Sequence, residues 1–383
     1  MKRAFNYIVV IIATGVVLGA MLAAAFFVPT YSPELPGTET PTDGTKLRFR
    51  EGSFKIVQFS DFHEWLGIEH DSNGLAIEEK DDLKPLLKNY IASVLDAEKP
   101  DLVVLTGDNT FSLSFFYDLG RKITLKTYAA IAAVFEERRQ PWTLTFGNHD
   151  SEGLYNKSDL FAVLTQYRYF IGALSDTDEI LAYSDGIGTD DERIGNYAIP
   201  VYDGDRTAFA VYLLDSGSYN SSQAAKDKPY RYITEAQTAW FRSASERLAQ
   251  NGQPVPALMF THIPLWEHIE AVEQGNESIG HPYGFSPSDT RSPIFEAVVE
   301  TGGVKGIFVG HNHSNSVATF YRRPGVEIMM GVTPQAAAAS YDDTTSILYS
   351  RIFTVTADGS VTTRLHTSEN GGGIYLGQSL TIA

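Results

Sequence analysis

The chain has 383 residues, enough to bury a sizeable core as one large domain or two smaller ones. Its 30 Lys and Arg against 47 Asp and Glu leave a net charge of −17, which argues against a nucleic-acid partner, since that requires a basic face. With no cysteine, disulfides, thiolate metal sites and cysteine-nucleophile chemistry are excluded, so any metal is held by N and O donors, which suits Mn, Fe or Zn.

Lys2 and Arg3 precede an uncharged apolar run from Tyr7 to Val28. That run exceeds the roughly 7–15 residues of a signal-peptide core and meets the roughly 20 that cross a bilayer. Residues 1–28 are therefore expected to be a transmembrane signal-anchor, or a signal peptide cleaved near Ala25. The positive residues stay cytoplasmic, which exports everything after Val28. Residues 29–46 hold four prolines among Thr, Gly and Ser and read as a linker. The folded domain is expected over 47–367, with 368–383, Gly-rich near its start, as a loose tail.

Phe54–Phe59 reads as a strand. From Asp82 to Glu98, Leu83, Leu86, Leu87, Tyr90, Ile91, Val94 and Leu95 fall at helical spacing, and Pro100 closes the helix. Leu102–Leu105 is a continuous apolar run of the kind parallel sheets bury on both faces. Lys122–Arg139 is a second helix, ended by Pro141, and a strand from Trp142 leads to Gly147. This β-α-β-α-β order implies a parallel sheet with right-handed crossovers. Ser158 or Asp159 caps a short helix through Gln166. Ala173–Arg193 is an acidic loop that lacks the spacing of a calcium loop. Asn196–Val201 and Thr207–Leu214 pair as a hairpin about Asp203-Gly204. Thr234 caps a helix to about Gln250, followed by a strand (Ala257–Thr261), a helix (Pro293–Glu300) and a strand (Gly306–Val309). Val317–Tyr321, Val326–Met330, Ile347–Thr356 and Val361–His366 are expected to complete a second, more antiparallel set. The fold class is α/β, a four-layer α-β-β-α sandwich of two mixed sheets flanked by helices.

Five apolar runs end in polar clusters of one build. They are Ser60-Asp61-Phe62-His63, Thr106-Gly107-Asp108-Asn109, Gly147-Asn148-His149-Asp150, Thr261-His262-Ile263-Pro264 and Gly310-His311-Asn312-His313. Strands that deliver such clusters to their C-terminal ends are where open α/β sheets place their chemistry. Burying these groups without partners would cost roughly a few kcal/mol apiece; a metal centre satisfies them together. His70, His268, His281 and His366 lie outside the clusters and read as surface or supporting residues. Neither G-x-S-x-G nor G-x-x-x-x-G-K-[ST] occurs, so serine-hydrolase and kinase-like chemistry lack support.

The set D-x-H, G-D-x, G-N-H-D, H and G-H-x-H resembles the calcineurin-like metallophosphoesterase superfamily, from Phe54 to about His366. Leu213-Leu214-Asp215-Ser216-Gly217, Thr234 to Phe241 and His262-Ile263-Pro264-Leu265 are similar to the branch related to purple acid phosphatases. The resemblance implies two divalent ions. Asp61, His63 and His313 would hold the first; Asn148, His262 and His311 the second; Asp108 would bridge. It also implies a phosphoester substrate, most directly a monoester, attacked in line by a metal-bridging hydroxide. His149, positioned by Asp150, would protonate the leaving oxygen. A phosphodiesterase or nucleotidase on the same centre is the alternative, and a non-catalytic metal-containing surface binding protein a remote one. Purple acid phosphatases carry a metal-ligating tyrosine three residues after the bridging aspartate. Here that residue is Phe111, so a colourless enzyme is expected, and a strong visible band in the purified holoprotein would contradict this. Trp65, His268, Tyr219 and the loop after Phe111 are the residues from which a pocket would be shaped.

Overall fold

Runs that are apolar throughout become central strands here, with each face serving a different layer. The computed structural model describes residues 46–66, 68–70, 76–79, 82–111, 117–152, 156–183, 193–219, 230–337, 347–368 and 374–383. The expected anchor and nearly all of the linker lie outside the described residues. Among the described residues no helix is long and apolar enough to cross a membrane.

The early strands are β1 (Leu47–Arg48), β2 (Ser53–Phe59), β3 (Ile68–His70), β4 (Ala76–Glu79), β5 (Leu102–Thr106) and β6 (Trp142–Thr145). The middle of the chain gives β7 (Leu181–Ala182), β8 (Tyr197–Asp203), β9 (Arg206–Leu213), β10 (Ala257–Phe260), β11 (Ser278–Ile279) and β12 (Val304–Val309). The last are β13 (Ala318–Arg323), β14 (Val326–Val332), β15 (Tyr349–Thr356), β16 (Val361–Thr367) and β17 (Ile374–Ile382). The helices are α1 (Pro85–Glu98), α2 (Tyr117–Glu136), α3 (Lys157–Leu164), α4 (Glu235–Leu248), α5 (Trp266–Glu273) and α6 (Ile294–Thr301).

One sheet has the order β17-β16-β15-β2-β5-β6; the other runs β1-β8-β9-β10-β12-β14-β13-β11, with β7 against β8. Side chains of the second sheet alternate between two cores. Val211, Leu213, Leu258, Phe260, Phe308 and Met329 face the first sheet. Tyr212, Met259, Ile307 and Met330 face Phe241, Phe295 and Val298 of α4 and α6. Phe353 of the first sheet meets Phe260 and Phe308 of the second at ring distances of 5.4 and 4.5 Å. On the first sheet, α1 sets Tyr90 against Phe59 and α2 stacks Phe135 on Trp142. These are the four layers the pattern implies.

Three expectations need correction. The C-terminal strands do not form one set: β13 and β14 join the second sheet, whereas β15 pairs antiparallel with β2 and carries β16 into the first. The open edge of β2 accepts it, and hydropathy does not record which edge is open. The chain end is not a loose tail, since β17 hydrogen-bonds along β16 as an edge strand; residues 369–373 lie outside the described residues. The cap of α3 is Asn156, whose Oδ1 accepts the Ser158 N–H at 2.9 Å. Thr234 does cap α4, in a reciprocal box with Gln237.

His268 does not line a pocket. It is buried, and its Nδ1 accepts the Leu265 N–H at 3.2 Å at the start of α5. Burial pushes its pKa down to about 4, against the pull of nearby backbone carbonyls. The unfolded chain takes up this proton near pH 6.5 and the folded chain only near pH 4. The contribution to stability is therefore complete above pH 6.5 and lost as pH falls toward 4, by about 3 kcal/mol in all. His268→Asn keeps an acceptor and removes the titration. Urea unfolding across pH 4.5–7 should show a shallower acid slope in this variant; identical slopes would refute the assignment.

Candidate metal centre

Five parallel strands from both sheets end at one rim. Asp61 and His63 follow β2, Asp108 follows β5, Asn148 follows β6, His262 follows β10, and His311 and His313 follow β12. Beneath the rim, buried Gln58 joins the sheets. Its Nε2 donates to Thr106 Oγ1 (2.9 Å) and the Val309 carbonyl (3.2 Å), and its Oε1 accepts from Thr333 Oγ1 (2.7 Å). Buried Arg351 makes a second link, donating to the carbonyls of Ser316 and Val332 at 2.7 and 2.8 Å.

All seven expected ligands converge. His63 Nε2 and His313 Nε2 face each other at 3.0 Å, with Asp61 Oδ1 at 3.7 and 3.5 Å from them. In the second group, His262 Nε2 lies 3.1 Å from both Asn148 Oδ1 and Asp108 Oδ2, and a ring nitrogen of His311 comes within 4.8 Å of ligand atoms of His262 and Asp108. Asp108 Oδ2 is also 3.8 Å from His63 Nε2, so one carboxylate oxygen touches both groups. The other oxygen, Oδ1, accepts the His149 N–H at 2.7 Å. Asp61 is arranged alike, with Oδ2 on the His311 N–H (3.0 Å) and Oδ1 buried without a hydrogen bond. His311 Nε2 is likewise buried without one. Lone pairs of N and O aimed at common points, some lacking any donor, are what divalent cations satisfy. The residues fit two such ions.

Backbone geometry serves the same end. Asp61, His63, Asp108 and His311 hold φ values of 56, 47, 50 and 68°, a region that costs non-glycine residues strain. Gly147 and Gly310 admit the close approaches: an added Cβ would lie 2.2 Å from Asp108 Oδ1 and 1.8 Å from Ser60 Oγ respectively.

The polypeptide's own field favours positive charge here. Burial raises the Asp61 and Asp108 pKa values, but the surrounding imidazoles outweigh it and hold both below the usual carboxylate range. His262 goes the other way, pushed up to about 9 by Asp108 against its burial. Burial and the charge of His262 press His311 down to about 3, leaving its ring neutral, the form a metal ligand requires. Thr106 contributes as well: His262 Nδ1 donates to its carbonyl at 2.8 Å, which turns Nε2 toward the centre.

Asp150 does not position His149. It is buried and accepts from the backbone N–H groups of Gly147 (2.8 Å), Asp108 (2.9 Å), Asn109 (2.9 Å) and Thr110 (3.1 Å), and from the Tyr128 hydroxyl (2.8 Å). Burial and Asp108 push its pKa up to about 6, yet five bonds that all require lone pairs make it a carboxylate above that pH. The partner of His149 is Glu152, with Oε1 2.7 Å from Nδ1. Glu152 lies three residues on and shares a turn with His149, a spacing that could have flagged it. Tyr219, expected at the pocket, places its hydroxyl 2.9 Å from Asn148 Nδ2 and 3.4 Å from His149 Nε2. Phe111 packs beside His63 and His149 at ring distances of 6.4 and 6.3 Å, and offers no ligand atom. The motif Leu213–Gly217 acts through Asp215, which binds buried Lys157 at 2.6 Å, and through Ser216, whose Oγ accepts the Ile263 N–H next to His262.

Residues 54–315 match the family described as calcineurin-like phosphoesterase. Over 282 residues the chain is 30% identical to "Probable inactive purple acid phosphatase 29" of Arabidopsis thaliana, covering 70% of this chain and 69% of that protein. It is 27% identical over 274 residues to "Phosphatase DCR2" of Saccharomyces cerevisiae, covering 69% and 45%. The solved purple acid phosphatase PPD1 from yellow lupin (Lupinus luteus) shares the fold, with a TM-score of 0.50, 14% identity, and coverage of 87% and 54%. The chain thus spans about half the length of the yeast and lupin proteins.

Proposed function

Since the chain belongs to the calcineurin-like phosphoesterase family, we propose that it hydrolyses phosphate esters, monoesters in the first place, at this centre. Asp61, His63 and His313 would hold one ion, Asn148, His262 and His311 the other, and Asp108 would bridge through Oδ2. The observation that carries the reading is the position of that oxygen, in reach of both ligand groups and 4.0 Å from His149 Nε2. His149 also groups with His63 and Asp108 within ligand reach, but the two proposed ligand sets are complete without it, which leaves its ring nitrogen to serve as an acid. The "probable inactive" in a relative's name is said of that relative; a complete donor set supports activity in this chain.

Bound divalent ions supply a water acidified to a pKa of about 7 and neutralise charge on phosphoryl oxygens. The remaining steps fall to the polypeptide. Glu152 accepts the Nδ1–H of His149, which fixes the ring and leaves Nε2–H directed at the cleft. Burial lowers the His149 pKa, but the Glu152 bond and the Asp108 charge more than offset this, so the protonated form is favoured. His149 then hands the Nε2 proton to the leaving oxygen. His149→Ala is expected to lower kcat by about 10²–10⁴-fold while metal analysis still finds two ions. Wild-type turnover in that variant would remove His149 from the chemistry. Comparing p-nitrophenyl phosphate with its bis-ester separates a monoesterase from a diesterase on the same centre, and comparing it with a nucleoside monophosphate tests for a nucleotidase.

A further inference from the structure

We infer that the rim loop from Gly280 to Ser288 forms an aromatic subsite, and that the ester's alcohol carries an uncharged aromatic ring. The inference rests on the phosphoesterase reading and names its substrate class. Among the described residues four large apolar side chains are exposed, and two of them, Tyr219 and Tyr283, stand at the metal ligands. Tyr283 lines the cleft, about 310 Å³ in volume, that also contains Asp108, His149, His311 and His313, yet it is 71% exposed. Tyr230 lines the same cleft, its ring edge-on to His311 at 4.5 Å and 5.8 Å from the ring of Tyr219.

Exposure of a tyrosine is ordinary on a mobile loop, but this loop is fastened. His281 is tied twice to Ser316: its N–H reaches Ser316 Oγ at 2.9 Å and its carbonyl accepts the Ser316 N–H at 3.1 Å. Asn315 Nδ2 donates to the Gly284 carbonyl at 2.8 Å. Gly280 allows this contact, because a Cβ there would lie 2.2 Å from the Ser316 carbonyl oxygen. Phe285 packs on Val309, Val317 and Val332, under the strand end that bears His311. Ser288 Oγ donates to the Tyr230 carbonyl at 2.9 Å, which ties the second ring to the same loop. A rigid aromatic face left open to solvent beside reacting groups is a surface made for a ligand.

Charge narrows the class. The described residues lining the cleft include Asp108 and no lysine or arginine, so among them a second phosphate or a carboxylate meets no cationic side chain. A flat, neutral ring close to the ester oxygen matches what is present.

The test uses the metal-loaded protein and two phosphonates of equal reach, benzylphosphonate and cyclohexylmethylphosphonate, which differ in the π face and are not hydrolysed. Calorimetric titration should show the benzyl compound bound about three- to tenfold tighter, the range expected of an aromatic pair. Tyr283→Phe should keep that ratio, and Tyr283→Leu, which preserves bulk, should bring it to about one. Equal binding in the wild type, no binding of either compound, or a ratio that survives in Tyr283→Leu overturns the subsite. Turnover of benzyl phosphate reads the parent proposal separately. Preference without turnover supports the subsite and defeats the hydrolase, and turnover without preference does the reverse.

Discussion

Asp108→Asn is expected to purify with one ion or fewer per chain and to turn over phosphate esters at least about 10³-fold more slowly. Oδ2 of Asp108 lies 3.1 Å from His262 Nε2 and 3.8 Å from His63 Nε2, so it is the contact through which two ions would share a ligand. Asparagine can still accept the His149 N–H with its carbonyl oxygen, which keeps the backbone in place. Its amide nitrogen then occupies the bridging position, neutral and carrying hydrogens where lone pairs are required. Lewis-acid stabilisation of the transition state is worth several kcal/mol, and each 1.36 kcal/mol is about tenfold in rate. Elemental analysis and kcat on p-nitrophenyl phosphate read the two effects together. A variant with two ions and an undiminished rate would dissolve the bridge, and the proposed function with it.

Asp150→Ala should fail differently, in folding more than in chemistry. The carboxylate gathers four backbone N–H groups and one hydroxyl from the turns after β5 and β6 and from α2, and its removal leaves buried donors unpaired. Unmet buried donors cost about 1–3 kcal/mol each, and breaking a buried charged network about 3–5 kcal/mol. A loss on the order of 4 kcal/mol is the expected result, read by urea unfolding. At about 2.1 cal/mol/K of unfolding entropy per residue, a domain this large shifts by about 1.5 °C of Tm for each kcal/mol, so melting should fall by roughly 6 °C. The contrast with His149→Ala is diagnostic: that variant loses turnover and keeps stability. An Asp150→Ala protein that melts like the wild type would refute the bracing role.

The candidate centre was legible in the sequence because each expected ligand sits within four residues of an apolar strand end, a wholly local pattern. The hairpin of β8 and β9 and the capping of α4 by Thr234 were legible for the same reason. Partnerships between distant segments were not. Nothing near Tyr349–Thr356 says that it pairs with β2 rather than with β14, and the two-residue strands β1, β7 and β11 are too short to carry a period. His149 and Asp150 are adjacent in sequence, which suggests a pair. The turn instead sends their side chains apart, Asp150 inward to backbone amides and His149 toward Glu152. Tyr283 stands in a stretch rich in Gly, Pro and Ser with no apolar periodicity, so only its placement on the rim reveals it.

The left-handed turns at Asp61, His63, Asp108 and His311 have a consequence for the life of the protein outside any assay. Conformations of this sort cost about 1–3 kcal/mol each, a heavy demand on a molecule whose whole margin is about 5–15 kcal/mol. An ion that binds only the folded chain repays about 2.7 kcal/mol at a hundredfold excess over its Kd. Scarcity of divalent cations should therefore shorten the survival of the chain against proteases as well as silence it, so that its abundance tracks mineral supply.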